Sequence, residues 1–405
     1  MANENDVVIV SAVRTPFGRY GGSLKDIDYY DLGAIPMKEV VRKVNLSPDA
    51  VDEVFWGVGD TCPCKDPYTP VAARQSLIKA GLPQETPSIS FDMACVSAMH
   101  AAKLAAMSIR LGEIDTAVAG GATSFSTEPL LVRGLRFQGY RLGDVKMEDP
   151  LFALGYKDFN PVSVDSDNVA FEYGIDRQEQ DEWALKSHVN YGNAWHAGKF
   201  KDEIMPLAVP QDKGESKVID IDEQYRPDAS LEKLSKLKTV YGTRAITAGN
   251  APGLNDGATA ILVMRRKKAK ELGLEIVATV IAQVSIAIKA HRMPEGPGYA
   301  MQKVLKLADL SIDDMAVMEI NEAFACVPLV STKLIAGDDA KRLKQIRDRM
   351  NINGSAIAIG HPNTASGARI IMNLMYELRR RGAGYALGAI CGGLAQADAT
   401  IIKVE

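Results

Sequence analysis

Along the first third of the chain, short β-branched and apolar runs alternate with stretches whose apolar residues recur every three or four positions. That alternation predicts parallel strands joined by helices. Val7–Val10 reads as a strand broken by Arg14-Thr15-Pro16-Phe17-Gly18, and Asp52–Gly57 reads as another. Tyr30–Val44 has helical spacing, and strand-like Ser88–Phe91 runs into a helical pattern at Val96–Leu111. Thr116–Ala119 reads as a buried strand that Gly120-Gly121 turns. Between about Ser124 and Asn250 charge and aromatic residues increase, Arg177–Ala197 is strongly helical, and strand signals are few. This stretch reads as an inserted subdomain. The β-rich pattern resumes at Leu254–Met264, a basic helix start follows at Arg265–Leu272, and Ile276–Val284 opens a second α/β unit. That unit continues through strand-like runs at Met315–Ile320, Ala356–Ile359 and Gly384–Ile390. The shared rhythm points to an internal duplication. The division predicted is 1–275, with the insertion at about 125–255, and 276–405.

Composition narrows the class. The 405 residues are 46% apolar and 24% charged, with 47 Lys+Arg against 51 Asp+Glu, as in a soluble globular protein. A net charge of −4 leaves no broad basic field, so nucleic-acid binding is not expected. No uninterrupted apolar run approaches the ~18 residues of a membrane span. The polar start, Met1–Asp6, and the short apolar run after it do not resemble a signal peptide. Five scattered cysteines are too few for a disulfide framework, so reduced thiols and a cytoplasmic location are expected.

Four segments carry candidate chemistry. Cys95, in Asp92-Met93-Ala94-Cys95-Val96-Ser97, sits at a strand-to-helix turn, where the helix dipole favours thiolate. His361, in Gly360-His361-Pro362, lies before a helix opened by Ser366-Gly367-Ala368, where it can serve as a base. Cys391-Gly392-Gly393 ends a strand, and its glycines let backbone N–H groups approach a ligand. Asn321-Glu322-Ala323-Phe324 follows Met315–Ile320, at the end of a strand where open α/β sheets place ligands. Taken singly, each has a bland reading: an inert buried thiol, a satisfied histidine, a tight β turn and a helix N-cap.

Together and in this order, with Val10–Gly18, Ala73–Pro83, Tyr173–Gly198 and Thr247–Gly257, they make the whole chain resemble the thiolase family. The resemblance implies an α/β fold: two similar halves in a five-layered α-β-α-β-α arrangement, with a loop domain inserted into the first. It implies an acyltransferase acting on 3-oxoacyl-CoA, with Cys95 as nucleophile, His361 as its activator and Cys391 as acid/base. One oxyanion hole would use His361 with a water held by Asn321; the other would use the backbone N–H groups of Cys95 and Gly393. Contacts to coenzyme A and substrate fall on Arg226, Ala251, Pro252, Met293 and Phe324. Coenzyme A is then a co-substrate, with no permanently bound cofactor and no metal. A homodimer or homotetramer is implied, and a small accessory subunit is conceivable.

Several positions depart from the family pattern. Asp92 replaces a usual Asn, Pro161-Val162 a His-Met pair, Pro252 a serine and Pro294 a glycine. Asn363-Thr364 stands for a small aliphatic and a Gly, and Leu394-Ala395-Gln396-Ala397 for a glycine-rich run. These changes cluster around acyl and pantetheine positions, which points to a bulky substrate: branched, aromatic or carboxylated. His291, Arg292 and Asn363 are candidate partners for a polar acyl group. Cys62-Pro63-Cys64 is a C-x-C that would need two further ligands to hold a metal. The readings set against degradation are a biosynthetic condensing enzyme and a noncatalytic acyl-CoA-binding subunit.

Overall fold

The computed structural model describes residues 3–59, 71–152, 156, 158–210 and 215–405. Among the described residues twelve strands follow one another: β1 (Val7–Arg14), β2 (Gly18–Arg19), β3 (Glu53–Gly57), β4 (Ser88–Phe91), β5 (Thr116–Thr123) and β6 (Leu207–Pro210), then β7 (Ser216–Ile219), β8 (Asn255–Arg265), β9 (Ala278–Ala287), β10 (Met315–Ile320), β11 (Gly384–Cys391) and β12 (Gln396–Val404). Ten of them form a mixed sheet in the order β10-β11-β12-β9-β1-β8-β5-β3-β4, with β2 beside β8. β1 is buried at all eight positions, which suits its Val7–Val10 run and the Ala12-Val13 pair after Ser11.

The sheet is two similar halves joined edge to edge. Across the join Val8 pairs with Thr279 and Ile9 with Ala278, and Val277 N–H donates to Ile9 O at 2.9 Å. Outward from it, β8 is antiparallel to β1, β5 antiparallel to β8, and β3 parallel to both β5 and β4. On the other side β12 is antiparallel to β9, β11 antiparallel to β12, and β10 parallel to β11. The parallel bridge Met318↔Met350 takes the place of the β3–β4 pairing.

Five layers result. One apolar cluster lies between the first half-sheet and the outer helices Tyr29–Arg42 and Ala72–Ala80. A second cluster joins both half-sheets to two central helices, Ser97–Leu111 and Ser366–Arg381. A third covers the far half-sheet with Gly296–Ala308 and Cys326–Ala336. The central helices touch through small residues: a Cβ on Gly367 would collide with the backbone of Met99. Among the described residues, no helix is long and apolar enough to cross a membrane.

Two sequence expectations fail locally. Gly120-Gly121 does not turn the chain; β5 runs on to Thr123. A Cβ on Gly120 would meet Thr259 and Trp56, and one on Gly121 would meet Thr364, so these glycines serve close packing. Ala356–Ile359 is one helical turn rather than a strand. The Glu322 carboxylate accepts from the Ile357 N–H at 3.1 Å, which favours a helix N-terminus there. Between Thr123 and Asn255 the chain leaves the sheet for helices such as Val162–Glu172 and Arg177–His196 and the β6–β7 ribbon.

Candidate active site

Cys95 stands on a single 3₁₀ turn, Ala94–Val96, between β4 and the first central helix. Side chains pin that turn. Asp92 Oδ1 accepts from Ala94 N–H at 2.6 Å, Ser97 Oγ accepts from Met93 N–H at 2.9 Å, and Ser97 Oγ donates to Ala94 O at 2.7 Å. They hold Ala94 at φ +50°, a conformation that costs a residue with a Cβ about 1–2 kcal/mol.

His361 comes from the other half. Gly360, at φ +109°, swings the chain out of the short helix, and Asn255 Oδ1 accepts from His361 N–H at 2.9 Å. Ser366 Oγ sits 2.7 Å from His361 Nδ1 and 3.3 Å from Pro362 O. The hydroxyl proton is used by that carbonyl, so Ser366 accepts from Nδ1–H and leaves Nε2 as the acceptor. Nε2 lies 3.2 Å from Cys95 Sγ and 3.5 Å from Asn321 Nδ2. Asn321 is fully buried and follows β10 directly, but it caps no helix; the next one starts at Cys326.

The second cysteine closes the site from β11. Cys391 ends that strand, and a Cβ on Gly392 would press on Met93 O at 2.9 Å and on Val96. The two cysteine turns therefore touch. Leu394 and Ala395 both have positive φ, +54° and +60°, where glycines would be unstrained. Tyr156, from the insertion, lays its hydroxyl over Gly393, where any Cβ would collide with it. Ser366 stood in the sequence only as a helix opener, and no signal singled out Tyr156, Asn255 or the buried Cys326.

Electrostatics correct one expectation. Burial pushes the Cys95 thiol far above its ordinary value, with the neighbouring Cys391 adding to the effect. Burial likewise pushes Cys391 up to about 12. It takes His361 down to about 3, helped by the positive charge of Arg369. Desolvation opposes the helix dipole that was expected to favour a thiolate, and both shifts favour a neutral thiol facing a neutral imidazole.

The remaining predicted residues divide. Ala325 N–H donates to Asn250 O at 2.8 Å, which brings Ala251 and Pro252 to the turn carrying Phe324. Buried Met293 belongs to one apolar cluster, with Ala251, Phe324 and Val162 packed against it. Arg226 is exposed on the insertion beside His188. Thr364 is a buried brace, with Oγ1 2.9 Å from Thr123 Oγ1. Pro294 is buried, and its carbonyl accepts from Ser331 Oγ at 2.7 Å. Arg292 pairs with Glu172 and Glu295, and His291 is exposed, so Arg292 is committed elsewhere. Asn363 Oδ1 is buried without a partner among the described residues. Cys62 and Cys64 lie outside the described residues, and among those described no group of His, Cys, Asp or Glu could hold a metal.

Comparison with known proteins follows the same lines. Residues 7–267 match the family model "Thiolase, N-terminal domain" and residues 274–404 match "Thiolase, C-terminal domain". The acetyl-CoA acetyltransferase of Cupriavidus necator is 40% identical over 392 residues, 96% of each chain. A probable acetyl-CoA acyltransferase of Staphylococcus aureus is 37% identical over 403 residues, 98% of each chain. The crystal structure of human mitochondrial 3-ketoacyl-CoA thiolase superposes with a TM-score of 0.92 at 35% identity, covering 100% of both chains. The same human enzyme in complex with CoA gives a TM-score of 0.91. With its fold, its two family domains and its acyltransferase relatives in agreement, this chain belongs to the thiolase family and is an acyltransferase.

Proposed function

We propose that the protein cleaves a 3-oxoacyl-CoA with coenzyme A through an acyl group carried on Cys95. The observation that carries this reading is the 3.2 Å approach of His361 Nε2 to Cys95 Sγ, with the Cys391 turn packed against the Cys95 turn. His361 takes the thiol proton as Cys95 sulfur attacks the 3-keto carbon. The C2–C3 bond then breaks, its electron pair forms the enolate of the departing thioester, and the Cys391 thiol protonates C2. His361, now charged, and a water on Asn321 stabilise the enolate oxygen; the N–H groups of Cys95 and Gly393 serve the tetrahedral oxyanion. Coenzyme A loses its thiol proton to the Cys391 thiolate and attacks the acyl carbonyl, and the released Cys95 sulfur recovers a proton from His361. Run backwards, the same steps condense two thioesters.

Coenzyme A enters as a substrate, as the complex of the human relative with CoA supports. Arg226, Ala251, Pro252, Met293 and Phe324 would line its path. An assembly of two or four copies is supported by β4, an edge strand with Ile89 42% exposed. The acyl group is bulkier than acetoacetyl and branched or aromatic: Tyr156 over Gly393 and Leu394, at positive φ three residues after Cys391, are the bulky groups beside the second cysteine, while the commitment of Arg292 weighs against a carboxylate. A kcat/KM panel of straight, branched, aromatic and dicarboxylic 3-oxoacyl-CoA tests this. The highest value for a branched or aromatic chain is expected; the highest for acetoacetyl-CoA or another straight-chain 3-oxoacyl-CoA would overturn the substrate class.

A further inference from the structure

Behind Asn321 lies a guanidinium cut off from solvent. Arg369, on the first turn of the second central helix, is fully buried. Nη1 pairs with Glu319 Oε1, and Nη2 donates to Ser355 Oγ at 3.2 Å and to Asn321 Oδ1 at 3.4 Å. Ser355 Oγ donates in turn to Glu319 at 2.7 Å, while Arg369 Nε is buried with no partner among the described residues.

Stability alone explains this pair poorly, since replacing a buried ion pair by apolar residues of similar volume is often neutral or favourable. Orientation explains it better. A carboxamide can present either its oxygen or its NH₂ to a neutral neighbour, but a guanidinium accepts only the oxygen. With Oδ1 held by Arg369, Nδ2 must face His361 Nε2, where it lies at 3.5 Å. Three residues earlier on the same helix, Ser366 fixes the other ring nitrogen of His361. One helical turn thus orients both groups.

We propose that Arg369 is a positioning residue: it locks the Asn321 carboxamide with its NH₂ toward the reacting atoms and places a buried positive charge behind the enolate site. This rests on the thiolase reading given above. The groups that face His361 are the Cys95 thiol and the Arg369 cation; Cys391, Asp92 and Tyr156 act on Cys95, and Glu319 pairs with the guanidinium. Arg369 acts on His361 by charge as well, disfavouring the imidazolium. Removing the cation raises the histidine pKa. Activity that needs the neutral imidazole is then lost at a higher pH.

Two variants separate orientation from charge. Arg369→Lys keeps the charge and loses the fork. Its kcat is expected to fall about 100-fold with KM and the acid limb of kcat/KM unchanged, as for a misplaced group. The charge-free pair Arg369→Met/Glu319→Gln is expected to lose similar kcat and to move the acid limb upward by about one pH unit or more. Thermal melts check that each variant is folded. A lysine variant with wild-type kcat, or a double variant with an unmoved acid limb, overturns the proposal. So does loss of folding in both, which would make the pair purely structural. Acylation of wild-type Cys95 by substrate is measured alongside; its absence would sink the thiolase reading itself, whatever the variants do.

Discussion

The two halves of the sheet share an order of strands yet supply different chemistry. In the first half, the turn between β4 and the central helix Ser97–Leu111 carries Cys95. In the second, the chain enters the central helix Ser366–Arg381 just after His361. Duplication therefore brings two helix N-termini together, one bearing the thiol and the other the imidazole. The halves differ most in what links their antiparallel pairs. Residues 124–254 separate β5 from β8, whereas only 392–395 separate β11 from β12. The long link brings Tyr156 over the site; the short one forces Leu394 and Ala395 to positive φ beside Cys391. A shared frame fixes where chemistry happens, and the unequal links shape what enters.

The largest effect that could break this comparison is at the thiol itself. Cys95→Ala should abolish turnover and covalent acylation while melting close to the wild type, because a small buried side chain becomes slightly smaller. Cys391→Ala should still accept an acyl group slowly but fail at proton transfer, so rapid-quench acylation separates the halves. Equal loss in both would erase the difference in roles. Next comes His361→Asn, with kcat lowered by about 10²–10³, roughly 3–4 kcal/mol, and KM little changed. A changed KM with normal kcat would remove His361 from the chemistry.

A third effect concerns pH. His361 is held at about 3, below its unfolded value near 6.5, so the folded state binds fewer protons between these values. Stability is full above pH 6.5 and falls with pH, at up to about 1.4 kcal/mol per unit, until the histidine protonates near 3. His188, lowered to about 4 by burial and Arg226, adds its own part. Urea denaturation at pH 7 and pH 5 should show the wild type losing more stability than His361→Asn; equal losses would contradict the assignment. The smallest effect belongs to the short link. Leu394→Gly removes strain of about 1–2 kcal/mol but adds backbone freedom to the unfolded chain, costing about 0.5–1 kcal/mol. The melting temperature should stay level or rise slightly while preference shifts toward smaller acyl groups. A marked drop would show that the Leu394 side chain matters more than its backbone.

Much of this was legible along the chain. The apolar runs Val7–Val10 in β1, Ala260–Met264 in β8 and Met315–Met318 in β10 and the spacing of Arg177–His196 mark elements whose burial follows directly from pattern. Cys95, His361, Asn321 and Cys391 stand out because each sits at the end of a strand or the start of a helix. Gly120-Gly121 misled because glycine serves close packing as well as turns, and only the position of Thr259, Trp56 and Thr364 distinguishes the two. Ala356–Ile359 misled because four apolar residues suit a strand or a helical turn equally; a carboxylate 35 residues before Ile357, Glu322, favours the helix. The protonation state of Cys95 was not legible either, since desolvation depends on atoms from both halves. Tyr156 and Arg369 act through neighbours distant in sequence, which no local pattern reports.

Intact-protein mass spectrometry, followed by peptide mapping, tests the central claim most directly. After brief incubation with a 3-oxoacyl-CoA and no free coenzyme A, the protein should gain the mass of one acyl group. That group should map to Cys95 and leave when coenzyme A is added. An adduct confined to Cys391 or Cys326, or turnover with no adduct at all in wild type and none lost in Cys95→Ala, would contradict it.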